Sequence, residues 1–170
     1  MRRKLDTITE IVIHCSASAN GQRVAIETID SWHRSRGFRR SVAAIDADPR
    51  HLTSIGYHRI IQPNGLDEVG RNADEVGAHA PRPADLDGLG PEAADYPGNS
   101  RSLGVCLIGT DRYTMTQWFA LRDIVGQWMG DYPIKRVWSH NQLTATKTCP
   151  GFLARDWAAG GMQPIMACLL

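Results

Sequence analysis

The sequence lacks the features that mark several large classes of protein. Its 19 basic and 18 acidic residues leave a net charge of only +1, which disfavours a nucleic-acid-binding protein that neutralises many phosphates. No apolar run is long enough to span a membrane, so we expect no stable membrane insertion. The basic residues that follow Met1 lead into no continuous apolar segment and no small-residue cleavage site. We therefore predict no secretory signal and expect cytoplasmic synthesis.

Two further motifs are missing. The four cysteines form no CxxC pair and no closely spaced framework. Cys106 lies in an apolar run and is predicted to be a small core residue, whereas Cys168 lies in a terminal segment with no predicted role. Cys15 follows His14 on a predicted strand, so its side chain should face the opposite way. There is no HExxH motif, so a helical Glu of that kind does not supply the general base.

Length and composition are those of an ordinary globular protein. A chain of 170 residues is long enough for one domain with its own core and too short for two domains that each have a core of ordinary size. Hydrophobic residues make up 42% and charged residues 22% of the chain, so we do not expect disorder. The order of predicted strands and helices indicates a single α/β domain over residues 1–170, with a mixed central sheet flanked by helices.

Apolar patterns predict the main elements. Continuous apolar runs predict buried strands at 10–16 and 103–108, and a third strand at 55–61 leads into a Pro-Asn-Gly turn and a hairpin partner at 66–69. Helical spacing predicts a helix over 25–36, with Ile26, Ile29 and Trp32 on one face and His33 packed or partly solvated rather than catalytic. Thr114 and Gln117 form a capping-box pattern. The helix after it is predicted to bury Trp118, Leu121, Val125, Trp128 and Met129.

One stretch near the end of the chain carries unusual chemistry. His140, Lys147 and Cys149 fall within a loop-like run that ends at a Pro-Gly step. Imidazole and thiolate are ligands that zinc selects, but two ligands do not make a site, and a loop with a buried thiol explains them as well. His14, at the end of a predicted strand, is a candidate third ligand. Three protein ligands are typical of catalytic rather than structural zinc.

Five blocks occur in a recognisable order: 13–17, 56–58, 76–80, 102–109, and His140 with 147–152. Together they resemble the type 2 N-acetylmuramoyl-L-alanine amidases, a family that includes phage lysozyme-like amidases and the peptidoglycan recognition proteins. The resemblance extends from about residue 10 to 157. It implies the α/β fold of that family and a Zn²⁺ ion bound by His14, His140 and Cys149. It also implies hydrolysis of the peptidoglycan amide bond between N-acetylmuramic acid and L-alanine.

The resemblance also implies roles for other residues. Tyr57 and Lys147 match the two catalytic positions that are not ligands: Lys147 beside the developing oxyanion, and Tyr57 orienting water or assisting proton transfer. His79 lies in a block that borders the substrate groove of the family, which predicts a substrate contact, with a loop-packing role as the alternative. The expected protein is a monomeric phage or prophage endolysin, which acts on the cell wall after a partner releases it.

Several interpretations stay open. Residues 39–54 have no counterpart in shorter family members and are interpreted as an insertion that shapes specificity or caps an edge. The cluster Arg34, Arg36, Arg39 and Arg40 fits either a solvated surface or carboxylate binding. One alternative function is a metal-free cysteine hydrolase that uses Cys149 and His140. Another is a non-catalytic peptidoglycan-binding module. The joint presence of the three candidate ligands argues against this alternative.

Overall fold

The computed structural model describes residues 2–170, which are organised around a five-stranded β-sheet. Its strands are β1 (Glu10–Cys15), β2 (Arg59–Ile61), β3 (Asp67–Val69), β4 (Ser102–Leu107) and β5 (Arg136–Ser139). They lie in the order β3-β2-β4-β1-β5. All neighbours are parallel except β2 and β3, which form an antiparallel hairpin. This mixed sheet confirms the predicted α/β class and the central place of the 103–108 strand.

The helices are α1 (Ile26–Ser35), α2 (Val42–Asp46), α3 (Met115–Asp131) and α4 (Ala154–Ala159). Helices α3 and α4 pack Trp118 and Trp157 onto the face of the sheet that carries Ile13. Helix α1 packs Ile29 against Cys106 on the opposite face. Because successive strand residues alternate between faces, His14 shares the α1 face, since it lies beside Cys106 in the register of β1 and β4. The side chain of Cys15 belongs to the other face, as predicted.

Helix α3 begins as predicted and buries slightly less than predicted. The Thr114 hydroxyl accepts the Gln117 N–H and the Gln117 side chain accepts the Thr114 N–H, which confirms the capping box. The prediction that Met129 is buried is wrong, since this side chain is 48% exposed. Trp32 on α1 is likewise 41% exposed and does not join the apolar face of its helix.

Two predictions about chain segments also need correction. The strand predicted over 55–61 is regular only from Arg59, because the preceding residues bond irregularly to two loops, through Ala78 N–H to Gly56 O and Arg71 N–H to Tyr57 O. Cys168 is not incidental: it is 8% exposed and packs into the core beneath α3. The Tyr113 N–H donates to the Cys168 carbonyl over 2.8 Å and so anchors the terminal segment.

Residues 39–54 are held in place by a buried ion network. Arg40, whose side chain is 2% exposed, bonds to Asp48 over 3.0 Å and to Glu75 over 2.8 Å. Its guanidinium also donates to the Leu52 carbonyl over 2.9 Å. The solvated-surface interpretation is therefore wrong for Arg40, because both carboxylates and the cation need one another once they are out of water.

None of the helices within residues 2–170 has the length and apolar character that crossing a membrane requires.

Candidate active site

The two candidate histidine ligands come from neighbouring parallel strands. Ile13 of β1 pairs with Ser139 of β5, so His14 and His140 follow at the same level of the sheet. Both lie at the carboxyl end of their strands, where parallel strands direct the residues that follow to one edge. The ring centroids of His14 and His140 are 4.7 Å apart.

The loop after His140 folds back and brings Cys149 to the same edge. The Asn141 N–H donates to the Cys149 carbonyl over 2.9 Å, which closes the loop. The Cys15 N–H donates to Cys149 Sγ over 2.9 Å and fixes the sulfur at the end of β1. The Tyr113 hydroxyl donates to the Pro150 carbonyl over 2.7 Å and secures the exit of the loop. As a result, the ligand atoms of His14, His140 and Cys149 all lie within 4.8 Å of one another.

This donor set suits zinc. Two imidazoles and one thiol are the ligand types that zinc selects, and three protein ligands is the number found in catalytic zinc sites. Burial and the neighbouring His140 and His79 rings lower the pKa of His14 well below its usual value. Burial and the charge of Lys147 lower the pKa of His140 to about 4. Both rings are thus neutral near pH 7, the form in which imidazole binds a metal.

The same electrostatics disfavour the metal-free cysteine hydrolase. The contact between the two thiols, followed by burial, raises the pKa of Cys149, while the same contact lowers the pKa of Cys15. A nucleophilic cysteine without a metal needs the opposite shift, usually produced by a neighbouring imidazolium. Because His140 has a pKa of about 4, it supplies no such cation near neutral pH.

Tyr57 lies against the candidate ligands. Its ring centroid is 5.1 Å from that of His14 and 4.9 Å from that of His33. Burial raises the pKa of Tyr57 well above its usual value, so the phenol keeps its proton and is available as a hydrogen-bond donor. His33 has the packing role that was predicted, since its Nδ1 accepts the Gly56 N–H over 2.9 Å.

Two cations border the site. Lys147 is exposed and lies in a turn that its N–H closes by donating to the Thr144 carbonyl over 3.0 Å. Its charge lowers the pKa of His140. Within residues 2–170 no carboxylate lies within ion-pair distance of Lys147. Arg36, which the sequence did not single out from its cluster, also lowers the pKa of His140. Together with Trp32 it lines a small crevice next to Tyr57.

His79 is buried behind a candidate ligand. Its side chain is 8% exposed, and its Nδ1 lies 3.1 Å from His14 Nε2. This burial agrees with the packing alternative, and the substrate contact stays a prediction. The structure otherwise brings the predicted residues together: His14, His140, Cys149 and Tyr57 at the centre, with Lys147 at the rim.

The family model described as N-acetylmuramoyl-L-alanine amidase matches residues 4–152. The chain belongs to this amidase family. Among its relatives, the endolysin of Klebsiella phage KP32 is 28% identical over 162 residues, covering 91% of this chain and 87% of the endolysin. The endolysin of Escherichia phage T7 is 27% identical over 163 residues, covering 91% and 88%.

Solved structures show that this member of the amidase family shares the fold of two groups of proteins. N-acetylmuramoyl-L-alanine amidase LysC from Clostridium intestinale is 22% identical with a TM-score of 0.64, over 92% of this chain and 87% of LysC. Peptidoglycan recognition protein-LE, solved in complex with tracheal cytotoxin, is 19% identical with a TM-score of 0.63, over 98% and 88%. The expected amidase and recognition-protein fold is thereby confirmed.

Proposed function

We propose that this protein is a zinc-dependent N-acetylmuramoyl-L-alanine amidase that hydrolyses the amide bond between N-acetylmuramic acid and L-alanine in peptidoglycan. The observation that carries the proposal is the convergence of His14, His140 and Cys149 beside Tyr57, in a chain of the amidase family. Similarity to phage endolysins along most of the chain supports a peptidoglycan substrate.

Each residue of the site has a distinct task in this reaction. His14, His140 and Cys149 would hold the zinc ion, which would supply Lewis-acid chemistry for the scissile carbonyl and for a water molecule. The ammonium of Lys147 stabilises the negative charge that develops on the carbonyl oxygen. Tyr57, which stays protonated, orients the attacking water or assists proton transfer to the departing nitrogen. The products are an N-acetylmuramic acid carboxylate and a peptide with a free L-alanine amine.

The biological setting is part of the same proposal. We infer a single domain over 1–170, because isolated β-bridges join Arg2 to Glu75 and Leu169 to Tyr113, which connects both described ends to the body of the domain. We infer a phage or prophage endolysin that acts as a monomer, is made in the cytoplasm and reaches the wall after a partner opens the inner membrane. The phage endolysins among its relatives support this setting.

Digestion of purified peptidoglycan tests the reaction. The expected products are intact glycan strands and free stem peptides, so new L-alanine amino termini appear while reducing sugar ends stay constant. Amino-terminal labelling with mass spectrometry measures the first, and a reducing-end assay measures the second. Protein with Cys149→Ser serves as the control and should produce neither signal. A rise in reducing ends would identify a glycosidase, and binding without any product would favour the non-catalytic module.

A further inference from the structure

His14 has a buried partner that is not one of the proposed ligands. Its Nε2 lies 3.1 Å from Nδ1 of His79, and the two rings meet edge to face with centroids 5.1 Å apart. We propose that His79 is a positioning residue, which holds the His14 ring through Nε2 and leaves Nδ1 as the atom that binds the metal. This inference rests on the zinc site proposed above.

The proton positions are consistent along the whole chain of contacts. A neutral imidazole carries one N–H, so His14 binds a metal through Nδ1 only if its proton is on Nε2. That N–H then donates to His79 Nδ1, which puts the proton of His79 on its own Nε2. The Ser102 hydroxyl oxygen lies 3.5 Å from His79 Nε2 and accepts the N–H of this nitrogen. The reverse assignment would protonate His14 Nδ1 and remove it as a ligand.

His79 is itself held in place by its surroundings. Asn99 Oδ1 accepts the backbone N–H groups of His79 over 3.0 Å and of Ala80 over 2.9 Å, which fixes the main chain beneath the ring. The Ser102 hydroxyl lies 2.9 Å from the Tyr96 hydroxyl, which in turn donates to the Ala80 carbonyl over 3.0 Å. The ring therefore has a fixed partner on each side.

Two glycines leave the space that the His79 ring occupies. A Cβ on Gly104 would lie 2.7 Å from Cγ of His79, and a Cβ on Gly77 would lie 2.5 Å from its Cδ2. Both separations are too short for any side chain, so these glycines allow the imidazole to reach His14. Gly77 and Gly104 belong to two of the sequence blocks that carry the family resemblance.

Partners of this kind orient a ligating imidazole, and their loss typically weakens metal binding about 10- to 100-fold. We therefore expect His79→Phe, which keeps a ring but has no acceptor, to raise the zinc dissociation constant by roughly that factor. His79→Asn places an amide oxygen near the former Nδ1 and should recover part of the loss. The measurement is competition against a chromophoric zinc chelator, together with the absorption spectrum of the cobalt-loaded full-length protein, which should change in His79→Phe.

His58 provides the matched control. It is a buried histidine whose ring centroid is 5.6 Å from that of His79, and its Nδ1 accepts the Gly104 N–H over 3.0 Å without touching a ligand. His58→Phe should lower the melting temperature and leave zinc affinity and the cobalt spectrum unchanged. If His79→Phe does not fold, zinc affinity is compared between His79→Ala and His79→Asn. His79→Asn is expected to bind zinc more tightly.

The outcomes separate this inference from the function on which it rests. Wild-type zinc affinity in folded His79→Phe, or His79→Asn binding zinc no better than His79→Ala, would overturn the positioning role. A raised KM with unchanged zinc affinity in His79→Phe would also overturn it and favour the substrate contact. Wild-type protein that binds no zinc would instead overturn the proposed metal site, and this inference with it.

Discussion

Replacing Cys149 with Ser is expected to abolish zinc binding and wall lysis together. The thiolate is the only anionic donor of the three candidate ligands, and a serine hydroxyl stays protonated near neutral pH. His14 and His140 alone leave zinc with two protein ligands, which is fewer than catalytic sites use. The two quantities to measure are zinc per chain by elemental analysis and the rate of lysis of bacterial walls.

Cys15→Ala is the matched control for this substitution. The Cys15 side chain belongs to the face of the sheet opposite His14, and its backbone contacts Cys149 Sγ, with the N–H donating over 2.9 Å and the carbonyl accepting over 3.8 Å. The variant keeps that N–H and should retain zinc and most of the lytic rate. If Cys149→Ser retained its zinc, the third ligand would lie elsewhere, and Cys15 would be the first residue to test.

Tyr57→Phe and Lys147→Ala are expected to separate activity from metal binding. Neither side chain belongs to the proposed ligand set, so zinc content should stay near one ion per chain. The phenol hydroxyl and the ammonium act only in the reaction, so we expect the lysis rate to fall about 10²-fold or more, the scale for losing one oxyanion or proton-transfer group. Zinc content and lysis rate are measured on the same preparations.

Lys135→Ala controls for the loss of a positive charge. Lys135 is also exposed, but it lies just before β5, at the opposite end of that strand from His140. This variant should keep both zinc and rate, because its charge does not face the site. Full activity in Tyr57→Phe and Lys147→Ala, with zinc retained, would show that the catalytic roles proposed for these residues are wrong.

The elements that the sequence predicts well are those whose pattern is local. β1 and β4 are short segments rich in apolar residues, and the capping box of Thr114 and Gln117 requires only residues within one turn. His14, His140 and Cys149 were found from ligand chemistry and block order. Their convergence depends on the pairing of β1 with β5, which no local pattern encodes.

What the sequence could not predict depends on contacts between distant segments. His79 opens a long irregular stretch, and its burial follows from the space at Gly104 and from its contact with His14. In the sequence Arg40 has the features of a surface cation, and its burial depends on ion pairs with the distant Asp48 and Glu75. These long-range contacts produce no periodic pattern in the sequence, although Gly77, within the 76–80 block that contains His79, is a residue type that permits close approach of backbone and ring.

The most direct test of the zinc mechanism is the lysis rate of metal-free protein as zinc is added back. We predict no lysis after complete removal of the metal with a strong chelator. We then predict a rate that rises with added zinc and levels off near one ion per chain, the occupancy of a three-ligand site. Undiminished lysis by verified metal-free protein would contradict the zinc mechanism and favour the Cys149 thiol as the nucleophile.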